Sequence, residues 1–354
     1  MSPSVLMLVS ARANAVLREE VARGVRPRPE YLQLESLYGV ELLDWSRIPG
    51  QVRARSRWRS SVHVATALRR LPGYDVVFSD GEHVGIPLAL ARRGLGLTTP
   101  HLVIGHHLTS RAKVPLLRNL RAHDRMSRIV VHSPLQKELA NGRLGIPDDK
   151  LALVPYYADQ DFWRPMGAES GAQEERLVVA AGSEHRDYAT MAAACGDLDA
   201  RVYVAAGSVH SPSSVFSNPD RWPANFQSGF ASYTALRDLY SRASVVVVPV
   251  VETDFQAGVT TVLEAMACGK AVVATATRGQ AGVILDGVTG ICVPPGDASA
   301  MGLAVRSLLE NPGERARLGR AAREAVVEEY SLETYTQRLA GHLANLAKST
   351  MVAA

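Results

Sequence analysis

The chain has 354 residues, 47% of them hydrophobic and 21% charged, with a formal net charge of +4. That length suits two Rossmann-sized units, and the composition is that of an ordinary globular protein, which excludes a disordered or fibrous chain. Cys195, Cys268 and Cys292 are too few and too widely spaced for a disulfide framework or a thiolate metal site.

The opening residues, MSPSVLMLVSARAN, have no basic leader and run straight into a strand pattern, so they do not read as a signal peptide. The longest apolar runs, such as 244–251, are too short to span a bilayer, and a cytosolic location is expected. Strand patterns fall at 4–9, 39–43, 75–79, 101–105, 128–132 and 151–155, then at 177–181, 201–206, 244–250, 271–275 and 291–293. Helical patterns fill most gaps, including 60–71, 84–93, 259–268, 298–310 and 312–329. Such alternation predicts α/β architecture built from parallel βαβ units. The stretch 163–175 loses apolar periodicity and gathers Pro, Gly and acids, as linkers do. The expected division is an N-terminal unit over 1–165, a C-terminal unit over 166–330, and a last helical segment, 331–354, that can return to the first unit.

Ligands of open parallel sheets collect beyond the carboxyl ends of the strands, so chemistry is expected on residues just after strands, facing a cleft between the two sheets. The first loop, SARAN at 10–14, lacks glycine. Asp80, Glu82 and His83 follow a strand end and can orient an acceptor, or simply sit in solvent. The strand at 101–105 ends in His106 and His107, where a neutral imidazole can donate a hydrogen bond to a ligand without adding charge. Residues 1–165 carry 24 Lys and Arg against 15 Asp and Glu, and the remainder 15 against 20, so the first half is the basic one. It is expected to attract an anionic acceptor or an acidic membrane face, and the run RARSRWR at 53–59 is the strongest local candidate. No nucleic-acid module is present, and no nucleic-acid partner is expected.

The most informative segment is DFQAGVTTVLEAMACGKAVVAT, 254–275. A strand leads through a loop into a helix whose first turn holds Gly258, Val259 and Thr260, an arrangement that binds phosphate oxygens through free amides. Glu264, further along the same helix, can accept hydrogen bonds from ribose hydroxyls.

This segment resembles the signature of retaining glycosyltransferases of the two-Rossmann-domain GT-B type (group 1, family 4-like), in which two Glu separated by seven residues precede Ala-Met-Ala-Cys-Gly. The resemblance runs on through QAGVILDGVTGICVPPGD at 280–297, through 226–249 with Gly229, Leu236, Tyr240 and Pro249 in step, and through LVPYYADQDF at 153–162. It implies a GT-B fold and a nucleotide-sugar donor, most often UDP-linked, with sugar transferred at retained anomeric configuration and without a metal ion or other cofactor. Carried over residue by residue, Glu264 holds the ribose and Gln256 stands where the first Glu belongs. Gly182 and Gly229 line the donor, Arg186 takes the position of the Lys that faces the diphosphate, and Ser183 replaces the preceding Arg. His106 lies near the sugar, with His107 as the fallback; Glu82 and His107 are acceptor candidates. The Asp159-Gln160-Asp161 spelling sits in a turn and is not read as a metal site. A nucleotide-sugar epimerase and a non-catalytic sugar-nucleotide binder are the alternatives on the same architecture.

Overall fold

Strands buried on both faces read as continuous apolar runs. In the computed structural model, which describes residues 3–48, 59–166, 174–206 and 222–353, they form two open parallel sheets. The chain divides into two compact units. Unit 1 comprises Met1–Arg23, Arg28–Pro155 and Glu333–Ala354, and unit 2 comprises Gly24–Pro27 and Tyr156–Leu332. The division falls at Pro155, ahead of the stretch read as the joint. Residues 167–173 of that stretch and 53–58 of the basic run lie outside the described residues.

Unit 1 holds β1 (Val5–Leu8), β2 (Glu41–Leu43), β3 (Val76–Ser79), β4 (His101–Ile104), β5 (Arg128–Val131) and β6 (Leu151–Leu153), in the order β2-β1-β3-β4-β5-β6 with every neighbour parallel. Each residue of β1, β3 and β4 is buried, as helices on both faces require. The helix Glu82–Gly94 packs close on β4: a Cβ on Gly85 would lie 2.6 Å from Val103 Cγ1, so only glycine fits there. The helix Leu332–Ala353 belongs to unit 1 beyond its first residue. It buries Tyr335, Leu339 and Leu343, and Gln33 Nε2 donates to Thr336 Oγ1 at 3.1 Å.

Unit 2 holds β7 (Leu177–Ala181), β8 (Arg201–Ala205), β9 (Phe226–Gly229), β10 (Val245–Val248), β11 (Val272–Thr275) and β12 (Ile291–Val293), ordered β12-β11-β10-β7-β8-β9 and parallel throughout. β9 is a strand that the apolar pattern does not announce. Its sequence, FQSG, carries one large apolar residue, and it forms by backbone pairing at the sheet edge beside β8. Chain order reverses between β7 and β10, which makes their carboxyl ends the switch point of this sheet.

At the opposite edge of unit 2, cationic side chains satisfy the orphan carbonyls of three helix C-termini. Lys270 Nζ donates to Ser241 O (2.7 Å) and Ala243 O (3.1 Å), and Arg315 Nη1 to Leu308 O (2.6 Å) and Leu309 O (3.2 Å). Arg323 Nη1 reaches Gln160 O (2.9 Å), Trp163 O (3.0 Å) and Ala267 O (2.9 Å). Arg323→Ala is expected to lower stability by roughly 2 kcal/mol, the worth of charge-assisted bonds to buried carbonyls. The midpoint of urea unfolding measures it, and an unshifted midpoint would contradict this role.

Candidate active site

Gly182 follows β7 at φ 89°, and Gly258 starts the helix Val259–Ala267 at φ 82°. Both are left-handed positions that side chains resist. A Cβ on Gly182 would stand 2.5 Å from Arg186 Nη2, and one on Gly258 would stand 3.0 Å from Nη1, so the two glycines lie against one guanidinium. The loop carrying Arg186 is tied to the end of β10: Asp187 N donates to Pro249 O (3.0 Å) and Val251 N to His185 O (3.0 Å). His185 adopts φ 55°, a strained setting costing about 1 kcal/mol for a non-glycine residue.

Arg186 donates through Nε to Ala181 O (2.9 Å), through Nη1 to Glu184 O (2.8 Å) and through Nη2 to Thr261 Oγ1 (3.0 Å). None of these partners is a carboxylate. Asp187, the sequence neighbour best placed to neutralise it, instead caps the helix Tyr188–Cys195 by accepting from Thr190 N at 3.0 Å. Desolvation lowers the Arg186 pKa, with nearby Tyr188, Tyr240 and Glu264 acting against it, yet an arginine stays cationic at neutral pH. A fixed positive charge thus stands at the switch point, beside the amino end of a helix.

Glu264 lies in the same helix. Its carboxyl group makes no hydrogen bond or ion pair among the described residues. Desolvation, only partly offset by Arg186, pushes its pKa up to about 8. Part of its surface stays accessible. A carboxyl group placed so is costly to the fold and suited to a ligand that supplies hydroxyl donors. Tyr240, buried in the adjoining core, likewise has a hydroxyl without a hydrogen-bond partner among the described residues.

The remaining candidates divide by position. Gln256 Oε1 is buried, without a partner among the described residues, just before the helix. Val259 is buried in the core and contributes backbone to the helix start, whereas Thr260 is exposed. Gly229 ends the edge strand β9, where a Cβ would lie 2.6 Å from the Tyr203 hydroxyl. Thr261 was not foreseen. It holds Arg186, and only the contact across 75 residues identifies it. Asp159 closes a turn by accepting from Asp161 N (3.3 Å) and Phe162 N (3.4 Å).

In unit 1, His106 is exposed after β4, with Nε2 3.0 Å from Asp80 O. Glu82 is only 3% exposed. Its oxygens accept from His106 N (3.0 Å), His107 N (2.8 Å) and Lys113 Nζ (2.5 Å). Burial raises its pKa, but His106, Lys113 and these bonds outweigh that and bring it to about 2. Glu82 is therefore a brace that sets the His106–His107 backbone, and its carboxylate is spent internally.

Unit 1 also buries neutral imidazoles. His63 Nε2 is 2.6 Å from Leu43 O, His101 Nε2 is 2.9 Å from Ser79 Oγ, and His132 Nδ1 is 2.9 Å from Val154 O. Desolvation lowers all three pKa values, that of His132 to about 3. The unfolded chain then binds more protons than the folded one below pH 6.5, so stability holds above that pH and falls beneath it. The His132 ring, with its pKa at about 3, is expected to cost about 1.4 kcal/mol at pH 5.5. Urea midpoints of the parent and a His132→Gln variant at pH 7.5 and 5.5 test this, and a variant that responds to acidification as the parent does would contradict it.

With this geometry in view, residues 225–325 match the family model described as Glycosyl transferases group 1. A D-inositol 3-phosphate glycosyltransferase of Kribbella flavida is 40% identical over 89 residues, 25% of this chain and 20% of that protein. An alpha-D-kanosaminyltransferase of Streptomyces kanamyceticus is 32% identical over 114 residues, 32% of this chain and 29% of that one. The chain thus spans under a third of these relatives' length. Among solved structures, sucrose-phosphate synthase from Thermosynechococcus elongatus aligns with TM-score 0.72 and 18% identity, over 99% of this chain and 100% of that one. Anabaena HepE, solved with UDP and glucose, aligns with TM-score 0.69 and 14% identity, over 97% and 99%.

This is a protein of GT-B fold, and residues 225–325 of its second unit match the group 1 model. Arg186 lies outside the matched segment of the GT-B protein, while Gln256, Gly258 and Glu264 lie within it. Among the described residues of the GT-B protein, no group of three or more His, Cys, Asp or Glu is placed to hold a metal ion, and no helix is long and apolar enough to cross a membrane.

Proposed function

We propose that this GT-B protein is a glycosyltransferase of the hexosyltransferase kind, moving a sugar from a nucleotide-sugar donor to a hydroxyl-bearing acceptor with retention at the anomeric carbon and without a metal ion. UDP-sugars are the favoured donors, a choice supported by the UDP and glucose bound in the structurally similar HepE. The observation that carries the reading is Glu264, a half-buried carboxyl group with no partner among the described residues, in the helix whose glycine start lies against Arg186.

In this reading the diphosphate rests on the amides that open the helix at Gly258, and Glu264 takes the ribose hydroxyls. Arg186 stabilises charge growing on the departing diphosphate, which itself takes the acceptor proton. Binding the charge-bearing group is then the main contribution to rate, together with positioning. Gln256 offers the sugar an amide in place of a carboxylate. His106 and His107, held by Glu82, are assigned to the sugar and acceptor side. The basic first half would draw the protein, working in the cytosol, to an acidic membrane face.

Incubation with a panel of nucleotide sugars, with and without a pool of acceptors, tests the reading. Acceptor-dependent nucleotide release supports transfer. Sugar isomers without release would make the protein an epimerase, and tight nucleotide binding with neither outcome would make it a non-catalytic binder.

A further inference from the structure

Unit 1 has its own switch point. Strand order β2-β1-β3 reverses at β1, so the segments leaving β1 and β3 open a crevice at the carboxyl edge. Three polar side chains meet there: Ser10 after β1, Asp80 after β3, and His83 in the first turn of the helix Glu82–Gly94. Asp80 accepts from Ser10 N and, at 2.8 Å, from Ser10 Oγ; His83 Nε2 lies 2.5 Å from the same Oγ.

The hydrogens in this cluster can be assigned. An ionised Asp80 only accepts, so the Ser10 hydroxyl spends its hydrogen on Asp80 and can only accept from His83. The His83 ring proton is therefore on Nε2, and Nδ1 carries a lone pair. That nitrogen makes no hydrogen bond among the described residues, and His83 is exposed. Gly81 keeps the approach open, since a Cβ there would stand 2.8 Å from His83 Nδ1. Desolvation and the positive pole of the helix start both favour the neutral ring.

We propose that His83 Nδ1 receives a hydroxyl hydrogen of a neutral polyol acceptor, with Ser10 and Asp80 as positioning residues that fix the ring tautomer. Naming the polyol as the acceptor rests on the glycosyl-transfer reading; the subsite itself does not. With its proton on Nε2, Nδ1 can only accept, so it takes a hydroxyl hydrogen and offers nothing to a phosphate oxygen.

Histidine-selective 15N labelling of the full chain at pH 7.5 tests this, with myo-inositol and glucose as probes. His83 is expected to show a protonated Nε2 and an unprotonated Nδ1, and either polyol should move the Nδ1 resonance, whereas inorganic phosphate and ethanolamine should not. Ser10→Ala should mix the tautomers and Ser10→Thr should restore the single one, a contrast that a purely structural role for Ser10 would not produce. A protonated Nδ1 in the unaltered chain, an Nδ1 signal unmoved by both polyols, or an equal response to ethanolamine would overturn the proposal. A parallel UDP titration, read on the amides of unit 2, keeps the two readings apart. Silence there with His83 still responding defeats glycosyl transfer and leaves this subsite standing.

Discussion

Arg186→Ala is expected to slow sugar transfer by roughly 10²–10³-fold at saturating donor, the usual consequence of deleting a preorganised donor from a site where charge develops. The guanidinium makes three bonds, to Ala181 O, Glu184 O and Thr261 Oγ1, and none neutralises it. Its charge is thereby held in place before any ligand arrives. Arg186→Lys should recover only part of the loss, because an ammonium cannot reproduce the planar fork that fits between Gly182 and Gly258. The decisive measurement is kcat for donor consumption by the variant and the parent. A variant with unchanged kcat and a raised acceptor KM would move Arg186 out of the donor site. Since those same bonds hold the loop after β7, a thermal melt should accompany the kinetics to show that the fold survives.

Glu264 should produce opposite effects on binding and on stability. Glu264→Ala is expected to weaken UDP binding by roughly 100-fold, about 2.7 kcal/mol, as two charge-assisted hydrogen bonds to ribose are lost. The fold should gain. With its folded pKa raised to about 8, the carboxyl group binds protons more tightly in the folded state, so its penalty is absent at low pH and grows as pH rises from the unfolded value through 8. Glu264→Gln, which keeps the shape and removes the charge, is expected to stabilise the protein by roughly 1–3 kcal/mol at pH 8 and not at pH 4. UDP affinity of the parent should climb between pH 6 and 8, then level off, and the Gln variant should lack that slope. Calorimetry at three pH values decides the first point and melting curves the second. A Gln variant that binds UDP as the parent does would remove Glu264 from the site. Such a trade of stability for binding is the expected mark of a functional carboxylate.

The two units differ in how much the amino-acid order announces. Strands such as Val245–Val248 and Val272–Thr275 are buried on both faces, and burial demands an unbroken apolar run that is visible without coordinates. β9 is the counterexample. An edge strand with FQSG needs only a neighbour's free backbone, so side-chain pattern carries almost no trace of it. The same reason hides the helix Glu30–Tyr38, whose apolar residues are spread around its circumference.

Within the site, residue types that serve a backbone purpose were legible. Gly258 before a helix and Glu264 inside it can be placed without coordinates because helix geometry is local. What only the tertiary structure decided is who neutralises whom. In the sequence, Arg186 stands beside Glu184 and Asp187 and resembles a local ion pair. In the fold, Asp187 turns to cap its own helix, Glu184 offers only its carbonyl, and Thr261, 75 residues away, supports the guanidinium. Glu82 shows the converse, a strand-end carboxylate that looks available until burial assigns it to His106, His107 and Lys113. Periodicity and helix ends are local properties and survive in the sequence. Desolvation and charge pairing depend on groups brought together from distant positions, and they exist only once the chain has folded.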